Sequence, residues 1–413
     1  MRIAVYGSGG REHALVSAFV SHGHEVIAFP GNPGIAGVAA ISPGPFEDID
    51  ADLFVIGPEA PLVDGLADVL RGQGKLVVGP GKDGAQLEGS KAWMKEILKS
   101  AKIPTASFRT FTEPAKAIEH LNSYDGPYVV KTDGLAAGKG VLVTRNREEA
   151  IQDVIEKLNG HAFGSAGTTV VIEEAMEGPE LSLLVLCDGT KGVALSPAQD
   201  FKRIYDGDQG PNTGGMGAFS PVPNVGKELV DQILSESVDP LIKEFNKRGI
   251  DYRGVLYAGL MLTKDGPKIV EFNIRFGDPE TQVVIPRVKN DLAQLLFELA
   301  SGDLKTEPEF ISESMVTVVI AAEGYPLSPR VGAVITGAED VMGDGVQVFH
   351  AGTRRSSSGD LVVGGGRVLN VTAKGKDLKS ARGLAYESVS LVSFEKMQYR
   401  RDIALNASEL SGF

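Results

Sequence analysis

The residues best suited to catalysis lie between Glu271 and Glu280, where the sequence is Glu-Phe-Asn-Ile-Arg-Phe-Gly-Asp-Pro-Glu. The run 268–270 before it is largely apolar, so we expect the backbone to enter this segment as a β-strand. Side chains alternate between the faces of a strand, so Glu271 and Asn273 should point to the same side, about 7 Å apart at Cα. Carboxylate and amide oxygens at that spacing can hold Mg²⁺, which takes its remaining ligands from water and substrate phosphates. The segment therefore predicts a metal site.

The neighbouring positions indicate how this strand is anchored. Phe272, Ile274 and Phe276 alternate with the polar residues and should face a hydrophobic core. Arg275 and Asp278 continue into a loop whose glycine and proline fix its backbone path. Taken alone, the segment is also compatible with an ordinary strand end that carries solvated charges.

Composition limits the class of protein. The chain has 413 residues, enough for about two to four domains, with ordinary apolar and charged contents of 42% and 23%. A formal charge of −13 argues against nucleic acid or an anionic membrane as the main partner. We expect no signal peptide, since the N-terminus enters a strand directly, and no membrane span. The single cysteine, Cys187, suits a reducing cytoplasm and lies in an apolar run where a buried structural role is expected.

The first hundred residues have the pattern of a doubly wound α/β domain. Strand 2–6 is followed by a glycine-rich turn and a helix, and further strands are expected at 25–29, 53–56 and 76–80. A dinucleotide site needs a small residue where Glu12 stands, so we expect a small-substrate site instead. Gly10, Glu12 and Glu59 should gather with it at the carboxyl ends of the strands.

A glycine-rich hairpin forms the second candidate site. Strands are predicted at 128–131 and 141–143, and the nine residues between them are mostly small. The glycine spacing differs from that of a P-loop, but the amides of the tip, Lys139 and Lys131 could all bind a polyphosphate. A flexible hairpin with solvated lysines is the alternative interpretation.

Two other loops carry weaker signals. The linker from Glu174 to Glu180 exposes peptide groups that could contact an adenine edge, and Glu180 could accept hydrogen bonds from ribose. The long polar stretch 199–218 begins with Asp200, Lys202 and Arg203 and is typical of an active-site loop.

The C-terminal part should be rich in strands, at 315–322, 333–336, 347–350 and 368–372. Helices are expected over 90–100, 150–158, 226–248, 290–300 and 377–390. The loop 352–367 contains three arginines that could bind a phosphate, although a solvated basic hairpin is equally compatible with these residues.

Several motifs in this order resemble one family. They are the segments 7–14, 57–62, 86–91, 131–140, 210–218 and 271–280. The chain closely resembles phosphoribosylamine–glycine ligases of the ATP-grasp superfamily, which make glycinamide ribonucleotide in purine biosynthesis. The segment 40–50 is shorter than is usual in that family and lacks the full strand and helix expected before residue 53.

The resemblance implies a multidomain α/β and α+β protein. It implies a doubly wound N-terminal substrate domain at 1–101, an ATP-grasp core at 102–324 with a lid near 122–190, and a small mixed α/β C-terminal domain at 325–413.

The resemblance also assigns roles to residues. It implies that Mg²⁺ or Mn²⁺ binds at Glu271 and Asn273 and that Arg275, Asp278 and Lys139 are catalytic. The ATP contacts it implies are Lys91, Lys131, Lys139, Glu173, Glu174, Ala175 and Glu180. The contacts it implies for phosphoribosylamine, glycine or the transferred phosphate are Gly10, Glu12, Glu59, Asp200, Lys202, Arg203, Arg275, Asp278, Thr353, Gly365, Gly366 and Arg367.

The activity implied is ATP-dependent joining of glycine to phosphoribosylamine through glycyl phosphate, in the cytoplasm. Two alternatives stay open at this point. One is an ATP-grasp ligase that joins another acid and amine. The other is a nucleotide-binding scaffold without catalysis, which need not retain the full set of lysines, Glu271, Asn273 and Arg275.

Overall fold

The N-terminal part forms the predicted parallel sheet. The computed structural model describes residues 1–135, 140–159, 168–341 and 343–410. Its first five strands have the order β3-β2-β1-β4-β5, with every neighbouring pair parallel. The strands are β1 (Arg2–Gly7), β2 (Glu25–Pro30), β3 (Ala40–Ile41), β4 (Leu53–Ile56) and β5 (Val77–Val78).

Helices cover both faces of this sheet, as a doubly wound unit requires. The segment 40–50 contains only the two residues of β3 and the 3₁₀ turn Phe46–Asp48, in agreement with its shortness in the sequence. The helices are α1 (Gly10–Ser21), α2 (Pro33–Ala36), α3 (Glu59–Asp64), α4 (Leu66–Gly72), α5 (Lys82–Gly89) and α6 (Lys91–Ala101).

A second, antiparallel sheet contains the predicted glycine-rich hairpin. Its order is β6-β9-β7-β8, and the helices α7 (Pro114–Asn122) and α8 (Arg147–Leu158) pack on it through a small apolar core of their own. The strands are β6 (Phe108–Phe111), β7 (Tyr128–Thr132), β8 (Val141–Thr144) and β9 (Val170–Glu174). We call these elements the lid sheet.

The third sheet carries the predicted metal-binding strand. It is antiparallel in the order β11-β10-β16-β17, and β16 and β17 form the hairpin that the sequence predicts. The strands are β10 (Glu180–Asp188), β11 (Gly192–Ala194), β16 (Arg253–Thr263) and β17 (Gly266–Asn273). The helices beside it are α9 (Lys227–Ile233), α10 (Asp239–Lys247), α11 (Thr281–Val284) and α12 (Leu292–Ser301), with a 3₁₀ turn at Ile285–Arg287.

The fourth sheet joins the polar loop region to the C-terminal part. Its order is β12-β15-β18-β22-β19, all antiparallel, so strands from both regions share one sheet. The strands are β12 (Gln199–Asp200), β15 (Gly217–Ser220), β18 (Ser314–Ala321), β19 (Val346–His350) and β22 (Arg367–Gly375). Two small hairpins and two helices complete the fold: β13 (Arg203–Tyr205) with β14 (Gln209–Asn212), β20 (Thr353–Arg355) with β21 (Leu361–Val363), α13 (Leu378–Val389) and α14 (Leu405–Leu410).

Two predicted elements differ from the structure. The helix over 226–248 is interrupted by a π-helical turn at Leu234–Val238, between α9 and α10. Pro240 follows this turn and has no backbone N–H, so a regular α-helical hydrogen bond cannot form there. The strand predicted at 333–336 is wrong. Val334 bridges to Val362 and Thr336 bridges to Ser393, and because the partners differ no ladder extends.

Cys187 is fully buried on β10, as the sequence predicts, and burial raises the pKa of its thiol. Within the described ranges, no helix combines the length and apolar character that crossing a membrane requires.

The N-terminal and C-terminal parts meet at a pair of buried histidines. His13 on α1 accepts a hydrogen bond at Nδ1 from the backbone N–H of His350 on β19, at 2.8 Å. His350 also lies 3.1 Å from the Thr353 hydroxyl. Burial lowers the pKa of His13 to about 3, with the nearby His350 adding to the shift, and burial lowers the pKa of His350 to about 4. Both imidazoles are therefore neutral at physiological pH.

This pair should make the protein acid-sensitive. The unfolded chain binds a proton at each histidine near pH 6.5, whereas the folded chain does not until about pH 4 or 3, so unfolding takes up protons in that window. We expect the free energy of unfolding to fall by about 1.4 kcal/mol per pH unit for each histidine as the pH drops below 6.5. In His13→Gln, which keeps an acceptor, denaturant titrations at several pH values should show that the free energy of unfolding depends less steeply on pH. The matched variant His22→Gln, at an exposed position, should retain the wild-type slope, and equal slopes in all three proteins would contradict the prediction.

Candidate active site

The parallel sheet, the lid sheet and the third and fourth sheets surround one cavity of about 610 Å³. Its lining is rich in charged side chains of both signs, which suits a phosphorylated ligand that binds with a metal ion. The charged residues among the lining are Arg11, Glu59, Glu88, Lys91, Lys131, Asp200, Lys202, Glu271, Arg275, Asp278, Glu280 and Arg367.

A β-bulge directs the predicted metal ligands into this cavity. Glu271 pairs with Gly259 and Ile269 pairs with Leu260, so Val270 is the extra residue on β17. Ile269 faces the core, and without the bulge Glu271 would face it as well. After the bulge, Phe272 and Ile274 enter the core while Glu271 and Asn273 line the cavity. The alternation predicted for these positions is confirmed.

Three lysines surround Glu271. Lys91, at the start of α6, donates to the Gly134 carbonyl at 2.9 Å, and Lys131 donates to the Val270 carbonyl at 3.2 Å. Burial alone would raise the pKa of the Glu271 carboxyl, but Lys202, Lys131 and Lys91 hold it below its ordinary value. Glu271 is therefore an anion in a cation-rich part of the cavity.

The residues of this site fit a divalent metal ion. Among the described residues, no hydrogen bond or ion pair engages the Glu271 carboxylate or the Asn273 side-chain amide, so both can bind a ligand. Their donor atoms are hard oxygens, which Mg²⁺ and Mn²⁺ prefer. In the same ranges there is no cluster of three or more His, Cys, Asp or Glu residues that could hold a metal. Mg²⁺ usually takes several of its ligands from water and substrate phosphates.

Arg275 lies between two carboxylates of the N-terminal part. Its Nη2 is 3.1 Å from Glu88 Oε1 and its Nε is 3.4 Å from Glu59 Oε2. The other Glu88 oxygen accepts from the backbone N–H of Ile274 at 2.9 Å. Burial raises the pKa of the Glu88 carboxyl, against the opposing charge of Arg275, whereas for Glu59 the charges of Arg275 and Arg11 outweigh burial and lower the pKa.

Asp278 connects the three regions of the chain. Arg367, from β22, donates to the Asp278 carbonyl at 2.7 Å and lies 3.3 Å from its carboxylate. Gln282 donates to the same carboxylate at 2.8 Å. Burial would raise the pKa of this carboxyl, but Arg367 and Arg11 lower it. This arrangement places an anion between two arginines that both line the cavity.

The part of the cavity around Lys202 also contains acidic side chains. The Lys202 ammonium lies 3.6 Å from Asp200 and also contacts Glu180. Burial, opposed by Lys202 and aided by Glu280, raises the pKa of the Asp200 carboxyl. Ser182 donates to Glu280 at 3.1 Å and is 2.9 Å from the Tyr257 hydroxyl. This part of the cavity can therefore accept hydrogen bonds from a substrate ammonium.

Not every residue singled out from the sequence lines the cavity. Lys139 lies outside the described residues. Glu12 is buried beneath the first glycine turn, where its carboxylate accepts from the Gly9 amide and contacts Arg11, each at 2.6 Å. The others that lie outside the described lining are Gly10, Glu173, Glu174, Ala175, Glu180, Arg203, Thr353 and Gly365.

Six charged or polar residues of the lining were missing from the sequence-based site: Arg11, Glu88, Thr213, Tyr257, Glu280 and Tyr325. Arg11, Glu88 and Glu280 lie within the motif segments 7–14, 86–91 and 271–280, each within three residues of a predicted site residue. Tyr257 pairs with Asn273 across β16 and β17, so the hairpin register would have indicated it.

The pocket around Glu12 leaves no room for a side chain at Gly57. A Cβ there would lie 2.0 Å from Glu12 Oε1, and the carboxylate is held by Gly9 and Arg11. We expect Gly57→Ala to lower the free energy of unfolding by about 1–3 kcal/mol, as over-packing does elsewhere. Thermal unfolding should show this loss. The control Gly72→Ala, where a Cβ meets no atom within 4 Å, should be neutral or slightly stabilising, and equal unfolding temperatures for the two variants would contradict the prediction.

Comparison with known proteins agrees with this fold. Residues 89–281 match the family described as phosphoribosylglycinamide synthetase, ATP-grasp (A) domain, so the chain is of the ATP-grasp class. Residues 1–88 and 315–406 match the N and C domains of the same synthetase. The chain belongs to the phosphoribosylglycinamide synthetase family.

Individual relatives agree with the family. The chain is 46% identical to a phosphoribosylamine–glycine ligase of Caulobacter vibrioides, over 98% of each chain. It is 44% identical to a trifunctional purine biosynthetic protein of Gallus gallus, over 98% of this chain and 42% of that protein. A crystal structure of phosphoribosylamine–glycine ligase from Thermotoga maritima superposes with a TM-score of 0.88 at 38% identity, over 98% of this chain and 100% of that chain.

Proposed function

We propose that this protein joins glycine to 5-phosphoribosylamine, with ATP, to give glycinamide ribonucleotide, ADP and phosphate in purine biosynthesis. The observation that carries the proposal is the cavity itself. It combines lysines next to the Glu271 and Asn273 oxygens, a carboxylate wall at Asp200, and arginines contributed by the N-terminal and C-terminal parts. Family membership makes the protein an ATP-dependent ligase.

The ATP site is proposed at the lid sheet. Lys91 and Lys131, together with Lys139, would bind the phosphates, and the backbone around Glu174 and Ala175 would contact adenine. Glu271 and Asn273 would hold Mg²⁺ or Mn²⁺, which neutralises phosphate charge when bound. Glu180, next to Lys202, would accept hydrogen bonds from the ribose.

The first step needs positioning and charge neutralisation, not an enzyme nucleophile. A glycine carboxylate oxygen attacks the γ-phosphorus, the bond to the β–γ bridging oxygen breaks, and ADP leaves, giving glycyl phosphate. Arg275 would stabilise the transferred phosphoryl group, while Asp200 and the nearby Lys202 would orient glycine, with Arg203 supporting that loop.

In the second step the amine of phosphoribosylamine attacks the carbonyl carbon of glycyl phosphate. The bond between that carbon and the phosphate oxygen breaks, phosphate leaves, and the nitrogen loses a proton. We propose that Glu59, Asp278, Gly366 and Arg367 contact phosphoribosylamine directly, since they line the cavity. Gly10, Glu12, Thr353 and Gly365 would shape the wall behind them.

The division into domains at 1–101, 102–324 and 325–413, with a lid near 122–190, is proposed with this function. We also propose that the reaction takes place in the cytoplasm, where its small-molecule substrates would be made.

The test is ADP release from purified protein with ATP and Mg²⁺. Freshly made phosphoribosylamine and glycine are supplied together, singly, and with other amino acids or amines in place of either. The proposal predicts that release requires both substrates. Release with another acid or amine, but not this pair, would indicate a different ATP-grasp ligase. Nucleotide binding without release in any mixture would indicate a binding protein.

A further inference from the structure

A buried ion-pair network lies behind the cavity and involves two residues that do not line it. Lys95 on α6 has a side chain that is 0% exposed, and its ammonium donates to Glu173 Oε2 at 2.9 Å and to the Thr105 hydroxyl at 2.8 Å. The other Glu173 oxygen lies 3.0 Å from the ammonium of Lys131, which does line the cavity. Glu173 therefore bridges a buried lysine and a cavity lysine.

The Lys131 contact is close but leaves most of its donors available. The Lys131 ammonium lies 3.0 Å from Glu173 Oε1, which is the distance of an ion pair, but the two atoms are not aligned for a hydrogen bond. Lys131 instead donates to the carbonyl of Val270, the bulge residue. An ammonium has three N–H groups, and in the described structure one of them is hydrogen-bonded, so the others can reach a phosphate.

The same network holds the bulge in place. The Thr105 hydroxyl that accepts from Lys95 donates to the Ile269 carbonyl at 2.6 Å, and Lys131 binds the next carbonyl, that of Val270. The two carbonyls immediately before Glu271 are thus fixed by groups that connect to Glu173. A change at Lys95 therefore reaches both the cavity lysine and the metal-binding strand.

The charge of Lys95 determines the net charge of the network. Lys131 and Glu173 alone would form a neutral pair, and a phosphate would then compete with a buried carboxylate for the Lys131 ammonium. With Lys95 present, two cations share one anion, so a net positive charge remains next to the cavity. Buried ion pairs are weakly screened, so this difference should be felt at the ligand.

We propose that Lys95 and Glu173 are positioning residues for Lys131: Glu173 fixes its ammonium, and Lys95 balances Glu173 so that the charge of Lys131 is available to the ATP phosphates. The inference rests on the proposed function in placing those phosphates at Lys131. It assigns Glu173 a role behind the ATP site in place of a contact with adenine. Burial lowers the pKa of Lys95 to about 8, against the attraction of Glu173, so the balance should weaken in mildly alkaline solution.

Comparing single and double variants tests the charge balance. The full-length protein is titrated with a non-hydrolysable ATP analogue and Mg²⁺, and the dissociation constant is measured by calorimetry. Lys95→Met leaves Lys131 paired with an unshared carboxylate, and we expect binding about tenfold weaker or more. The double variant Lys95→Met/Glu173→Gln removes the negative charge but keeps a side-chain oxygen that can contact the Lys131 ammonium, so its dissociation constant should return to within about threefold of the wild-type value. Lys99→Met, on the exposed side of α6, should bind as the wild type does.

A purely structural role of Lys95 predicts a different ranking of the variants by their affinity for the ATP analogue. If Lys95 only stabilised the fold, removal of a second buried partner would leave binding as weak as in Lys95→Met or weaker, and that result would overturn the inference. Unchanged binding in Lys95→Met would also overturn it. The assay does not depend on turnover. A wild-type protein that binds the analogue but fails to consume glycine and phosphoribosylamine would contradict the proposed function and leave this comparison valid.

Discussion

Glu271→Ala should lose at least about a thousandfold in kcat for ADP release, the largest effect we expect from one side chain. Glu271 lies near the end of β17, where the bulge turns its carboxylate towards the cavity. No protein group in the described structure forms a hydrogen bond or an ion pair with this carboxylate. Its removal leaves Asn273 as the single proposed metal ligand on that strand and removes the negative charge that faces Lys91, Lys131 and Lys202. Binding of Mn²⁺ in the presence of an ATP analogue, followed by electron paramagnetic resonance, should weaken in parallel.

The matched control for this prediction is Asp265→Ala. Asp265 is an exposed acid in the turn of the same β16–β17 hairpin, and its contact with Lys268 is a long 3.7 Å. This variant should retain wild-type kcat and Mn²⁺ affinity, since exposed ion pairs contribute little. Near-normal turnover in Glu271→Ala would show that the metal is held elsewhere.

Loss of both activity and stability is expected for Arg275→Met. The arginine lies between Glu59 and Glu88, and removing one partner of a buried ion pair costs about 3–5 kcal/mol because the other charge is left unpaired. Turnover should fall by about 100-fold to 1,000-fold, because we propose that Arg275 stabilises the transferred phosphoryl group and this cation is lost. Thermal unfolding and ADP release measure the two effects separately.

A second substitution separates the structural part of this effect from the catalytic part. In Arg275→Met/Glu88→Gln the more buried of the two carboxylates is neutral and Glu59 still has Arg11 nearby, so the unfolding temperature should recover part of the way towards that of the wild type while turnover stays low. Recovery of both would mean that Arg275 acts only by holding the fold together. Arg145→Met, at an exposed position on the lid, should change neither quantity.

Local patterns in the sequence were sufficient for much of the fold and for the centre of the site. The strand–glycine turn–helix start, the two strands of the glycine-rich hairpin and the alternation from Glu271 to Phe276 all depend on neighbouring residues, and the described structure contains each of them. For the same reason, Lys131 and Arg275 were recognisable, whereas Lys91 was indicated only by the family resemblance.

Features that depend on distant partners could not be predicted in this way. The bulge at Val270 is set by the register with β16, and strand periodicity alone does not reveal an extra residue. The family resemblance implies that Glu173 faces adenine, and the pairing of its carboxylate with Lys95 from α6 is a contact that local sequence patterns do not reveal. Strand 333–336 failed because its two bridging residues pair with different segments, which is a tertiary property.

The measurement that most directly tests the account is a crystal structure with Mn²⁺ and a non-hydrolysable ATP analogue, with data collected at a wavelength where manganese scatters anomalously. The account predicts an anomalous peak in contact with the side-chain oxygens of Glu271 and Asn273 and with the analogue's phosphates, and Lys131 in contact with the same phosphates. A manganese peak away from both side chains, with the phosphates bound elsewhere, would contradict it.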